Sequence, residues 1–300
     1  MNDIVYVTFT PRTQIKMTDN KAIGKEQDAS QKAQTMLKED NVSRIVFDNS
    51  KKRTLIFSKD MLANQMRRDT LKIQDSFDAH WDSELTKIDE EYSKACSLIY
   101  AALTTDYYKG DSRFLRSAEL LSNAANTFIA AIHLLRSGFV LQPGILLRTI
   151  VESVATAVHL CTDEKALEKY ETGKLDSGYA VKSARTVFPL IAKLYGYYSN
   201  NFAHIGELHK TFTGLTPYTE GDVRVNANIS MLKYCVLVLY MTSELLFPQF
   251  VVAHRYWKPL NPEGFHYAPD EDELKWLATF IGDDDESEMA QSLQRGGEPT

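Results

Sequence analysis

The chain has 300 residues, 44% of them hydrophobic and 25% charged, with a formal net charge of −6 and a sequence pI near 5.7. This is a globular composition, long enough for one large domain or two ordinary ones, and its acidity argues against broad electrostatic capture of nucleic acid, which needs a basic surface. The balance is uneven: residues 1–75 carry 14 Lys/Arg against 10 Asp/Glu and the remainder 20 against 30, so a local anionic contact is allowed in the first quarter, although an ordinary solvated face is the plainer expectation.

Ile4–Phe9, Ser43–Asp48 and Thr54–Ser58 are rich in β-branched and aromatic residues and predict strands, the last two joined as a hairpin through the polar turn at residues 49–52. Lys21–Glu39 reads as a weakly amphipathic surface helix. Residues 1–58 therefore form a small α+β unit, marginal alone, that has to dock on the rest of the chain or on a partner. From Lys59 the apolar residues recur at steps of three and four, through Leu62, Met66, Ile73, Phe77, Trp81 and on to Tyr107. A helix of that span reaches about 70 Å. Residues 59–111 are thus expected either to project as an arm or dimer contact or to bend over their own domain.

Residues 112–281 predict a helical bundle. Asp111 or Ser112 caps a helix over Arg113–Ser137 that ends at Gly138, and Pro143 sits near the first turn of the next, Gly144–Leu160. A short polar helix comes after Asp163. A further helix from Tyr179 is kinked or restarts at Pro189 and runs to His204, and Gly206–Asn228 reads as a long loop or two short pieces. Ile229–Ala253 is the most apolar stretch, but Lys233, Glu244 and Pro248 interrupt it, so it is expected to be a core helix rather than a membrane span. His254–Pro269, with Tyr256, Trp257, Phe265 and Tyr267, reads as a surface-wrapping loop, Glu271–Phe280 as a last helix and residues 282–300 as a disordered acidic tail. The fold class is mainly α: a helical bundle with a small strand-containing N-terminal unit and a long amphipathic helix.

Cys96, Cys161 and Cys235 are odd in number, far apart and set among apolar neighbours, which suits free thiols of a reducing compartment. No signal peptide opens the chain, so a cytoplasmic location is expected. Glycine-rich phosphate loops, Gly-x-Ser-x-Gly and Cys-x-x-Cys are lacking, and no cofactor is expected. His204 and His209 flank Glu207 but lack the spacing of one helical face, so no metal is expected either.

Two features carry chemistry. On the Gly144–Leu160 helix, Glu152 and His159 lie about 40° and about 20° around from Arg148, so three ionisable groups share one stripe of an otherwise apolar helix. Arg148 and Glu152 are also spaced for a side-chain pair, and a buried pair of this kind fixes helix register. In the segment Tyr197–His204, Asn200 and His204 have the same spacing. If the two helices are neighbours, Arg148, Glu152, Asn200 and His204 converge, and a histidine beside a carboxylate and an arginine is equipped for acid–base work on a phosphodiester. Asn200, Asn201 and His159 are the candidate binding residues.

The run LLRSGFVLQPGILLRTIVE at Leu134–Glu152, with SNNFAHIG downstream of it, resembles a group of bacterial helical proteins similar in plan to the HEPN superfamily. The resemblance spans about residues 112–255 and implies a helical bundle that pairs as a homodimer. In that superfamily many members are metal-independent ribonucleases of defence systems, with four to six residues between an arginine and the histidine that comes after it. Here those positions hold Ser199, Tyr198 and Tyr197. The leading expectation is therefore a non-enzymatic binding or interaction module in bacterial defence or stress response, acting as a homodimer or on a protein partner. The alternatives are a divergent ribonuclease, with His204 as acid–base and Arg148 and Glu152 orienting the phosphate, and a small-ligand sensor. RNA as a partner finds no support in the net charge, and no membrane partner is expected.

Overall fold

The fold is seen in a computed structural model, which describes residues 3–6, 14–15, 41–48, 53–210, 214–260 and 264–282. The expected helix at Lys21–Glu39, the turn at residues 49–52 and the tail beyond Gly282 lie outside the described residues. The protein is mainly α, a helical bundle with a small strand-containing unit at its N-terminal end.

Four strands come first: β1 (Asp3–Tyr6), β2 (Gln14–Ile15), β3 (Val42–Asp48) and β4 (Arg53–Ser58). They form one sheet in the order β2-β1-β4-β3. β3 and β4 are the antiparallel hairpin that their composition predicts, Ile45 opposite Ile56, with a bulge between Val42 and Arg44. β1 runs parallel to β4, Val5 opposite Leu55. Ile56 and Val42 are buried.

The long helix opens as α1 (Met61–Asn64), passes through a π-helical turn at Gln65–Asp69 and continues as α2 (Thr70–Thr104). The chain divides into two compact units whose boundary falls inside this helix, after Ala79. The first unit comprises Met1–Ala79, Arg136–Gly138 and Thr213–Thr219. Its core holds Ile73 and Phe77, both fully buried, with the Phe77 ring edge-on to Tyr218 at 6.0 Å. Gly138, at φ 98°, leaves room for Ile73 and Leu215 where a Cβ would crowd them. Asp78 binds Arg136 through both its oxygens, Nε to Oδ1 at 2.6 Å, and the guanidinium holds the Asp78 carboxyl below its usual range.

The second unit holds the remaining residues. α3 (Ser112–Arg136) starts where Asp111 accepts the Arg113 amide at 3.0 Å and ends at the expected Gly138. α4 (Gln142–Thr162) has Pro143 in its first turn. Next come α5 (Ala166–Glu171), α6 (Ser177–Ala184) capped by Asp176, α7 (Pro189–Tyr198), a π-helical turn at Ser199–Ala203, and α8 (Val223–Leu246). α8 is buried on nearly every side, and α4 packs against it and against α6 and α7. These two helices meet the length and apolarity of a membrane span, and each is mostly covered by the protein itself. Ser117 of α3 donates to the Ala157 carbonyl of α4 at 3.0 Å, which holds the hairpin in register.

Two boundaries differ from expectation. α8 begins at Val223, not Ile229: Asp222 caps it by accepting the Arg224 amide at 3.0 Å, and the two asparagines that look like loop formers have tertiary partners. Asn226 accepts from the Trp81 indole at 2.8 Å, and Asn228 donates to the Val140 carbonyl at 3.0 Å. The helix stops at Leu246, ahead of Pro248. The aromatic segment is not all loop, because β5 (Trp257–Pro259) and β6 (Phe265–Tyr267) pair as an antiparallel hairpin. α9 (Glu271–Ile281), capped by Asp270, is the last described element.

Candidate functional site

The polar stripe of α4 faces α6 and α7. Arg148 pairs with Glu152 at 3.0 Å, Nη2 to Oε1, and reaches across to the next helices. Its Nη2 donates to the Tyr195 hydroxyl at 2.9 Å and its Nε to Ser199 Oγ at 3.0 Å, while the guanidinium stands 5.0 Å from the Tyr195 ring centroid. Glu152 also accepts from Ser177 Oγ of α6 at 3.3 Å. The side chains of Arg148 and Glu152 are 29% and 20% exposed, so the pair is half-buried with one edge open to solvent, rather than sealed in the core. Nη1 of Arg148 bonds to no described residue, which leaves one donor edge for a ligand.

Gly144 sets the geometry of this cluster. A Cβ there would overlap Cγ, Cδ1 and Cδ2 of Phe202, the buried residue of the π-helical turn. Only glycine lets that turn lie directly on α4, and the close approach brings Ser199 within reach of Arg148.

The other candidates lie elsewhere. His204 comes after the π-helical turn with an extended backbone, φ −107° and ψ 144°, so it does not share a helical face with Asn200. Both are exposed, and neither bonds to Arg148 or Glu152. Asn201 turns back on its own helix, its amide donating to the Tyr197 carbonyl at 2.9 Å. The structure thus brings Arg148 and Glu152 together with Tyr195, Ser199 and Ser177, and leaves Asn200, Asn201 and His204 outside. Tyr195 and Ser199 are members of this cluster that sequence reasoning misses, although their spacing of four on a helix is the same signal that marks Arg148 and Glu152.

His159 continues the stripe as a buried group, 1% exposed, its ring edge-on to Tyr179 of α6 at 5.3 Å. Neither ring nitrogen has a hydrogen-bond partner, and Asp163 stands 3.8 Å from Nε2. Burial lowers its pKa below the ordinary 6.5, with the Lys169 charge adding to that and Asp163 opposing it. A base whose folded pKa is depressed contributes stability above its unfolded pKa and loses it as pH falls through that value. Stability is therefore expected to decline from about pH 6.5 downward, before the carboxylates titrate near pH 4. In His159→Leu the decline between pH 7.5 and 5.5 should be shallower than in the wild type; equal slopes by urea denaturation would refute the assignment.

A second polar cluster ties the C-terminal segment to the bundle. Arg255 pairs with Glu91 of α2 at 2.8 Å and Glu273 of α9 at 2.9 Å, and its guanidinium lies 4.6 Å from the Trp276 ring, 5.2 Å from Tyr256 and 5.3 Å from Tyr240. Burial works against its charge, yet Glu273 and Glu91 hold its pKa above the usual arginine value. Beside it Glu244, fully buried in α8, accepts the backbone amides of Arg255, Tyr256 and Trp257 on one oxygen at 2.8–3.2 Å. These contacts are structural: the amides that lead into the hairpin are spent on the bundle.

Among the described residues no group of three or more His, Cys, Asp or Glu side chains is placed to hold a metal. The three cysteines are free thiols; Cys235 is buried and its pKa is pushed up to about 12, while Cys96 and Cys161 are half-buried. No protein-family model, no curated protein and no solved structure matches the chain.

Proposed function

We propose that the chain is a non-enzymatic helical binding or interaction module of HEPN-like plan, acting as a homodimer in the bacterial cytoplasm in defence or stress response. The commitment of Arg148 carries this reading. Its guanidinium is held by Glu152, Tyr195 and Ser199, and His204 stands outside that set. A ribonuclease needs donors aimed at the phosphate and an acid–base group within about 3 Å of the proton it moves. An arginine that clamps three helical segments and exposes a single edge is better suited to recognition than to turnover. The test is direct. Purified protein incubated with mixed RNA, with and without chelator, should leave it intact at every condition. Cleavage that disappears in His204→Ala would overturn the module reading in favour of a nuclease.

A further inference from the structure

In the second unit α2 and α3 leave a groove of about 420 Å³, with Leu85, Ile88, Tyr92, Phe128 and Ile129 in its lining. Its base is closed: Ile88 and Phe128 are buried, and the rings of Tyr92 and Phe128 stack at 5.7 Å. Its wall is open, with Ile129 43% exposed. Two hydroxyls of the lining are engaged by backbone carbonyls, Thr86 with Asp82 at 3.0 Å and Tyr92 with Ala125 at 3.4 Å. The polar groups that remain are His133, exposed on the α3 side, and the carboxylates of Asp82 and Asp89.

Asp82 and Asp89 stand seven residues apart on α2, about 20° around from one another and about 10.5 Å along the axis. Both are exposed, and neither pairs with a described cation; the nearby Lys87 and Lys94 go to Glu84 and Glu91. Leu85 falls between them in height and is turned about 60° from Asp82, toward Ile88 at the base. Two uncompensated charges on one rim, with apolar surface between them, suit an occupant that is cationic at both ends and apolar in the middle.

We propose that the groove between α2 and α3 binds a linear aliphatic diamine, its methylene chain against Leu85, Ile88 and Ile129 and one ammonium at each of Asp82 and Asp89. With each nitrogen about 2.8 Å from its carboxylate, the two nitrogens are about 5–10 Å apart, a span that extended cadaverine falls within. Burial of the methylenes supplies affinity, and the two charge pairs, weak singly at an open rim, select the length and disfavour monoamines. The site shares no residue with the Arg148 cluster and goes beyond the module reading.

Methyl-resolved NMR of the full chain, titrated with cadaverine at low ionic strength, tests it. The Leu85, Ile88 and Ile129 methyl signals should shift together and saturate with a dissociation constant of about 1 mM or below. Asp82→Asn and Asp89→Asn should each weaken binding about threefold and the two together about tenfold, and amylamine, with a single ammonium, should bind about threefold more weakly than cadaverine. Glu90→Gln, which removes an exposed charge of the same sign outside the groove lining, should leave the affinity unchanged. All three carboxylates are exposed, so each variant should melt with the wild type. No saturable shift at about 20 mM cadaverine, shifts that spare the groove methyls, or equal affinity for amylamine would overturn the proposal. So would a loss in Glu90→Gln as large as that of either aspartate, since the effect would then be general attraction to an acidic surface. None of these outcomes bears on the RNA test, and His204-dependent RNA cleavage would sink the module reading and leave this site standing.

Discussion

Arg255→Ala is expected to be the most damaging single substitution away from the apolar core. It leaves the Glu91 carboxylate, 0% exposed, with Lys94 as its remaining ion pair, and empties the space among Tyr240, Tyr256 and Trp276. Removing one partner of a buried pair costs about 3–5 kcal/mol where the other charge is left without compensation; Lys94 still offsets part of the Glu91 charge, so the loss is expected at the lower end, about 3 kcal/mol. The melting temperature should then fall by about 6–12 °C. Arg255→Lys should recover only part of this, since an ammonium cannot bridge Glu91 and Glu273 while lying flat against the rings. The exposed Lys182→Ala serves as control and should stay within about 0.5 kcal/mol of wild type. If Arg255→Ala unfolds within about 1 kcal/mol of wild type in urea, the cluster does not hold the C-terminal segment down.

The second large effect is expected at Gly144. In a helix interior alanine is normally favoured over glycine by about 1 kcal/mol. Here the added methyl would overlap the ring of Phe202, which is 4% exposed and has nowhere to go. Overpacking of this kind costs about 1–3 kcal/mol, so Gly144→Ala should destabilise despite the better helix former. It should also push the π-helical turn off α4 and lengthen the bond from Arg148 to Ser199. Removing the opposing ring supplies the check: in a Phe202→Ala background, which lacks the Cγ and Cδ atoms that the added methyl would meet, the same substitution should lose at least half its cost. A Gly144→Ala protein as stable as wild type would mean that the turn yields freely.

Much of the fold is legible locally. Pro143 and Gly138 mark a start and a stop because their backbone preferences act without help from the rest of the chain, and the hairpin β3–β4 is implied by composition. The start of α8 is not legible, because Asn226 and Asn228 favour loops on their own and become helical through Trp81 and Val140, which are distant in sequence. The candidate site divides the same way. Arg148 and Glu152 pair within one helix, so their spacing reveals them. Tyr195 and Ser199 join them only because α7 packs on α4, through a glycine whose role is invisible until Phe202 is seen against it. The helical periodicity that places Asn200 and His204 together fails at the π-helical turn, where the backbone widens and then leaves the helix.

The two compact units are interleaved along the chain, the first drawing on residues up to Ala79, then on Arg136–Gly138, then on a segment that ends at Thr219. During synthesis from the N-terminus the first unit cannot close until the ribosome has passed Thr219, by which time most helices of the second have emerged. No single cut separates the units, and an expression fragment that stops short of Thr219 deprives both. Phe77, whose ring meets Tyr218 in the finished unit, therefore has to wait for its partner until the segment that ends at Thr219 has been made.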